Sequence, residues 1–162
     1  MKVKIEHRIG VQAPADAIWA VIAEIERWPD WNPLYPKAEG KVRIGASLTL
    51  EVALPDRKPQ TIRPVVVDWI PNEQIHWRLS ALAGLVRTTR FLEIEKLTET
   101  GCIFANGELF DGPLASMIVR SVGGAARRGF AAMGEAVKAR AEAAWRAASD
   151  GGDTREALPT GS

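Results

Sequence analysis

Residues 112–148, GPLASMIVRSVGGAARRGFAAMGEAVKARAEAAWRAA, decide the fold. Gly112-Pro113 closes the preceding element, and no proline interrupts the run from Leu114 to Ala148. Val119, Val122, Ala126, Phe130, Met133 and Val137 recur at helical spacing and fall in one arc. Arg120, Arg127, Glu135, Lys138 and Glu142 fall in the opposite arc. One face is therefore buried along most of a helix about 45 Å long, enough to cross a small domain. Gly123, Gly124, Ala125, Gly129 and Ala132 crowd its first half. They either let another backbone come close or leave space unfilled. Everything upstream reads as strands, so the simplest object is a sheet gripped by one helix. That object is either an ordinary core or the wall of a ligand cavity.

Composition sets the outer bounds. With 162 residues and 46% hydrophobic content, residues 1–148 make one domain with chain enough for a sizeable core. A net charge of +1 gives no broad footprint for nucleic acid. No apolar run approaches the roughly 20 residues of a membrane span, so no stable insertion is expected. A single cysteine, Cys102, allows no internal disulfide and fits a reducing, cytoplasmic setting. The N-terminus MKVKIEHRIG lacks the apolar core of a secretion signal. The last stretch, SDGGDTREALPTGS from Ser149 to Ser162, is small and polar and reads as a disordered tail.

Alternation marks a first strand over Lys2–Val11, with Val3, Ile5, His7 and Ile9 on one side. Pro14 then opens a short helix carrying Ile18, Val21, Ile22 and Ile25. A second short piece ends in Trp28-Pro29-Asp30-Trp31-Asn32-Pro33, where two prolines break regular structure and stiffen the backbone. Two tryptophans on so rigid a turn either plug one end of the core or form the rim of a pocket. Gly45 separates a strand ending near Val42 from one over Ala46–Ala53. Gln60–Ile70 reads as a long strand in which Pro64 marks an edge or a bulge. Gln74–Ser80, Leu85–Lys96 and Cys102–Phe110 follow at hairpin spacing, an antiparallel meander and hence an α+β order.

The chemistry is sparse. His7, His76 and Cys102 fall at unrelated spacings, so no metal site is expected. There is no phosphate-binding glycine loop, and Ser116 and Ser121 lack a nucleophile elbow. What remains is polar residues on apolar strand faces. Val86, Thr88, Arg90, Leu92 and Ile94 share one face, as do Cys102, Phe104, Asn106, Glu108 and Phe110. If those faces meet the helix, Arg90, Asn106 and Glu108 are buried and must find partners, an Arg90–Glu108 ion pair being the natural one. In the opposite register Ile103, Ala105 and Leu109 point inward and the three polar groups meet solvent. Periodicity leaves both open.

These residues resemble the START-like, or SRPBCC, superfamily with the helix-grip fold, in particular its polyketide cyclase/dehydrase-like group. The resemblance spans about residues 3–145. It is carried by Ala13-Pro14 with Ile18-Trp19, by Trp28-Pro29-Asp30-Trp31-Asn32-Pro33, by Gly45, by Gly101, and by Gly112-Pro113-Leu114. It implies a curved antiparallel sheet of about seven strands wrapped on the long C-terminal helix, two short helices after the first strand, and an internal cavity. It also implies that Asn106, Glu108 and Phe110 face the cavity, with lone Tyr35 near its mouth. Two functions follow from the resemblance. One is non-catalytic binding of a small hydrophobic or amphipathic molecule, without a cofactor, by a monomer or weak homodimer. Trp28, Trp31, Trp77, Phe104, Phe110 and Met117 would form the wall, and Arg90, Asn106 and Glu108 would orient the ligand. The other is a cyclase or dehydratase in which Glu108 acts as base and Arg90 stabilises an oxyanion. A firm Arg90–Glu108 pair suits the first, and a raised Glu108 pKa beside open space suits the second.

Overall fold

The computed structural model describes the backbone of residues 2–156 and the side chains of residues 2–150. Strand β1 (Lys2–Val11) leads into helix α1 (Ala15–Ala23) and a 3-10 helix (Ile25–Asp30) that carries Pro29. Three short strands follow, β2 (Lys37–Glu39), β3 (Thr49–Val52) and β4 (Gln60–Ile62). The main strands are β5 (Val65–Ile70), β6 (Gln74–Ala81), β7 (Val86–Thr98) and β8 (Gly101–Asp111). A tight turn with left-handed backbone (Leu82–Gly84) joins β6 to β7, and helix α2 (Ala115–Glu156) closes the fold. This is the helix-grip α+β architecture.

The strands form two sheets where the sequence suggests one of about seven strands. A five-stranded antiparallel sheet runs β1-β8-β7-β6-β5, and β2-β3-β4 make a three-stranded sheet of their own. Pro64 is the cause. It has no N–H to give a ladder, so the expected strand Gln60–Ile70 divides into β4 and β5 around it. Residues 45–48 cross the gap, with Leu48 N–H donating to Pro64 C=O and Val66 N–H to Ala46 C=O, both at 2.9 Å.

The register settles which strand faces look inward. Ile5, Glu108, Arg90, Trp77 and Val66 form one row across all five strands, and His7, Asn106, Leu92, Ile75 and Trp69 form the next. Ile5, Val66, Ile75, Leu92 and Asn106 are essentially without exposure. The face carrying Phe104, Asn106, Glu108 and Phe110 therefore looks toward α2, while Ile103 and Leu109 are half-buried on the other side. On that outer face Phe91 lies over Gly107, which tolerates no side chain because a Cβ there would sit 2.6 Å from the ring.

Helix α2 lies across β1 and β8, and α1 packs against its flank. It runs past Ala148, where its apolar periodicity ends, through Glu156. The remainder of the stretch expected as a tail, residues 157–162, lies outside the described residues. The small residues of α2 serve close approach. A Cβ on Gly134 would stand 2.6 Å from the His7 ring, and one on Gly129 would stand 2.9 Å from Leu34. Gly124 differs, being exposed with only the tip of Arg128 nearby. Among the described residues no helix is long and apolar enough to cross a membrane.

Two alanine substitutions in one helix should thus have opposite signs. Gly124→Ala should stabilise by up to about 1 kcal/mol, through helix propensity alone. Gly134→Ala should destabilise by about 1–3 kcal/mol, because the His7 ring and the helix must separate. Urea denaturation of the two variants measures both.

Candidate functional site

The centre of the inward face is a cation. Arg90 is 2% exposed, and all five of its N–H groups have acceptors. Nε donates to the Tyr35 hydroxyl at 3.0 Å. One terminal nitrogen donates to the carbonyls of Phe91 and Gly107, at 3.1 and 3.0 Å. The other donates to Asn106 Oδ1 at 2.9 Å and to the weak acceptor Met133 Sδ at 3.3 Å. The Phe130 ring covers the guanidinium at 4.3 Å, an arrangement that favours a cation over an aromatic face. Asn106 completes the knot by donating to the Phe130 carbonyl of α2 at 3.1 Å.

The expected Arg90–Glu108 ion pair does not form. The two are direct cross-strand partners, yet no ion pair joins them among the described residues. The physical reason is that the guanidinium is already saturated by neutral acceptors from the 32–35 turn, β8 and α2. Glu108 instead stands beside Thr88, its diagonal neighbour on the same face. Burial pushes its carboxyl above the ordinary carboxylate range, against the opposing pulls of Arg90 and of the Thr88 hydrogen bond. Burial likewise pushes the Tyr35 hydroxyl up. With no N–H to spare, Arg90 cannot serve as an oxyanion donor without surrendering a bond it already has.

Tyr35 is a core residue, not the expected feature of a pocket mouth. It is 2% exposed, with its ring 5.0 Å from Trp28 and 6.2 Å from Trp77. Trp28 and Trp77 are themselves buried, 5.9 Å apart, so they form close-packed interior. The Trp28 indole N–H is buried without an acceptor. Phe104 and Phe110 are buried in the same core. Two other expected wall residues lie elsewhere. Met117 is 54% exposed, one turn into α2 on its solvent side. Trp31 lines an outer cleft of about 480 Å³ between α1 and the far end of α2, with Arg140 over its ring at 5.9 Å.

Openness on the inward face concentrates at one end. Glu108 is enclosed deeply enough for burial to dominate its titration, yet its side chain keeps accessible surface. Val3, Thr88 and Leu79, which with Phe110 form the next row, are also only half-buried. So are Ile118, Val119 and Val122 of α2, Val52 and Ile62 of the small sheet, and Leu54 just after β3. Where that sheet meets α2, a cleft of about 110 Å³ lies between Val52, Leu54, Gln60 and Val122. The β3–β4 hairpin tip closes over it. Arg57 donates to the Ser121 carbonyl, and Asp56 pairs with Arg128 at 3.4 Å. Sequence alternation places Thr88 beside Arg90. Nothing in the spacing of residues ties Tyr35, Phe130 or Met133 to it. Among the described residues no three metal-ligating side chains come together.

Comparison with known proteins adds the following. Residues 2–138 match the family model described as polyketide cyclase/dehydrase and lipid transport. No curated protein matches the chain significantly in sequence. Among solved structures, the ZhuI aromatase/cyclase from Streptomyces sp. R1128 superposes with a TM-score of 0.71 at 23% identity, covering 91% of this chain and 98% of that one. A START superfamily protein from Mycobacterium smegmatis superposes at 0.65 with 18% identity, covering 87% and 98%. Norcoclaurine synthase from Thalictrum flavum superposes at 0.63 with 20% identity, covering 87% and 94%. At such identities the likeness establishes the fold alone.

Two substitutions check this geometry. Tyr35→Phe removes the acceptor of the Arg90 Nε–H and leaves a buried donor orphaned, so it should cost about 1–3 kcal/mol by chemical denaturation. Glu108→Gln tests the carboxyl. Because the folded state raises its pKa, the protonated form stabilises the fold at low pH, and that contribution is lost as pH rises through the raised value. The Gln variant should therefore match the parent near pH 4, below the usual glutamate value of about 4.3, and melt at higher temperature near pH 7.5. A lower melting temperature at pH 7.5 would mean that a charged Glu108 supports the fold.

Proposed function

The chain belongs to the polyketide cyclase/dehydrase and lipid transport family, and from that premise we propose that it binds one small amphipathic molecule in the space beside Glu108. The observation that carries this reading is Glu108 itself, an inward-facing carboxyl held off the nearest cation and left with accessible surface. Two polar neighbours on that face, Arg90 and Asn106, are spent on the protein. A carboxyl accepts a hydrogen bond when ionised and can also donate one when protonated, so it suits a hydroxyl or carbonyl on the ligand. Thr88 stands beside that carboxyl and lowers its pKa. Val3, Leu79, Ile118 and Val119 supply the apolar wall, in place of the tryptophans and Met117. The cleft under the hairpin tip, about 110 Å³, is smaller than the roughly 300–1,000 Å³ of ordinary ligand pockets. Admission of a larger molecule therefore requires the tip to lift, and the exposed contacts of Arg57 and Arg128 that hold it are weak enough to permit this.

The raised pKa of Glu108 favours a second reading, in which the same carboxyl is a general acid or base. It would take a proton from an enolisable carbon and return one to a departing hydroxyl, as a cyclisation with loss of water requires. Arg90 would then act through its field and not as a direct donor.

A thermal-shift panel of hydroxylated aromatic and acyl compounds tests the binding. A true ligand stabilises the fold by about 2.7 kcal/mol at a hundredfold excess over its Kd. Thr88→Val and Glu108→Ala should weaken that response at least tenfold in Kd. A flat panel with the parent protein removes the proposal. Mass spectrometry of the recovered ligand separates the two readings: loss of water with the parent protein, abolished in Glu108→Gln while binding persists, establishes catalysis.

A further inference from the structure

A patch at the end of the sheet where α2 begins is apolar, exposed and flanked by cations. The turn Leu82–Gly84 presents three successive residues in the left-handed region, at φ 53°, 54° and 85°. Leucine is poorly suited to that conformation, which asparagine or glycine adopts readily. Leu82 is nevertheless there, 51% exposed, with Leu85 46% exposed beside it. Met117 joins them from α2, whose approach is fixed by a bond from Leu114 N–H to the Leu85 carbonyl at 3.4 Å. None of the three side chains contributes to the core.

Directly behind this turn, on the outer face of the sheet, a cleft of about 230 Å³ is lined by Lys2, Arg78, Arg87 and Thr89. Its one carboxylate, Asp111, stands 3.8 Å from Arg87, leaving the cluster net positive. The register makes the two features continuous: Arg87 pairs with Ser80, two residues before Leu82 in the chain. An apolar tip that enters an acyl boundary, with cations placed to meet phosphate oxygens, is the pair of signals that stable peripheral attachment requires.

We propose that this end of the molecule docks on an anionic lipid surface, with Leu82, Leu85 and Met117 entering the headgroup–acyl boundary and the Lys2–Arg78–Arg87 cleft holding a lipid phosphate. The docked orientation presents to the membrane the end of the inward face that carries Thr88. The proposal does not depend on the ligand site, since vesicle binding and ligand-induced stabilisation are read by different variants.

The test is co-sedimentation of the full chain with phosphatidylcholine vesicles, with and without phosphatidylglycerol. The expected result is binding to the anionic vesicles at low salt that falls by about 0.5 M salt, where exposed charges are screened. Arg78→Glu and Arg87→Glu should each lower the partition coefficient about fivefold or more. Leu82→Asn with Leu85→Ser should lower it on anionic vesicles while leaving the melting temperature unchanged or higher, because asparagine accepts the backbone of residue 82. Three outcomes overturn the proposal. They are no sedimentation with either vesicle, equal sedimentation with both, and release of the protein by millimolar inorganic phosphate at constant ionic strength, which would mark a soluble phosphate site.

Discussion

The structure depends on a buried guanidinium that has no carboxylate in contact. A charge in a low-dielectric interior is tolerated only when every donor is satisfied, and Arg90 meets that condition with oxygens and a sulfur from four separate parts of the chain. The condition is geometric as much as energetic. Tyr35 must come in from the turn after the 3-10 helix, β8 must stand in one register, and α2 must approach near enough for Met133 and Phe130 to reach. Gly134 permits that approach, and Asn106 fixes it by bonding both the arginine and the helix backbone. A shift of one residue in any element would orphan several donors together, so the knot specifies the arrangement of the fold more than it stabilises it.

Glu108 inherits its properties from that knot. Had Arg90 needed an anion, the carboxylate beside it would be ionised and committed. Because neutral groups satisfy the guanidinium, burial is the strongest influence on Glu108, and the cation only moderates it. The result is one protonable group among half-buried apolar side chains on the inward face. That is useful to a protein that recognises a hydroxyl or carbonyl, and equally to one that moves a proton on it. An aromatase/cyclase and a START superfamily protein share this fold, and a fold by itself does not decide what a protein does.

Much of the architecture was legible because it is written locally. Alternation in β7 and β8 identified the two faces, the arc from Val119 to Val137 identified the seated side of α2, and Pro64 announced an interruption. The division into two sheets was less legible, since a proline marks where a ladder fails but not which strand each flank then joins. The site was read only in part. Alternation brought Arg90, Asn106 and Glu108 together on one face and made the first and last of them neighbours. It could not show that Arg90 would choose a tyrosine 55 positions away over the adjacent glutamate. Side-chain partners of that kind are decided by tertiary approach, which leaves no periodic trace. The glycines of α2 were ambiguous for a related reason: a small residue signals proximity or emptiness alike, and here Gly129 and Gly134 signal proximity. Met117 and Trp31 were apolar residues near the right elements, but they sit on surfaces that the intervening turns direct outward.

The pairing of β1 with β8 bears on how the protein is made. Among the described residues, β1 is paired with β8 alone and covered by α2, both of which are made at least 90 residues later. Until both emerge, Val3, Ile5 and Ile9 have nowhere to go, and the edge of β1 is open to any other extended chain. The arginine must also remain hydrated until residue 133 is available. This fold therefore cannot assemble during synthesis until the residues of β8 and α2 have emerged. The nascent polypeptide is the form in which this protein would most need a chaperone, however stable the finished molecule.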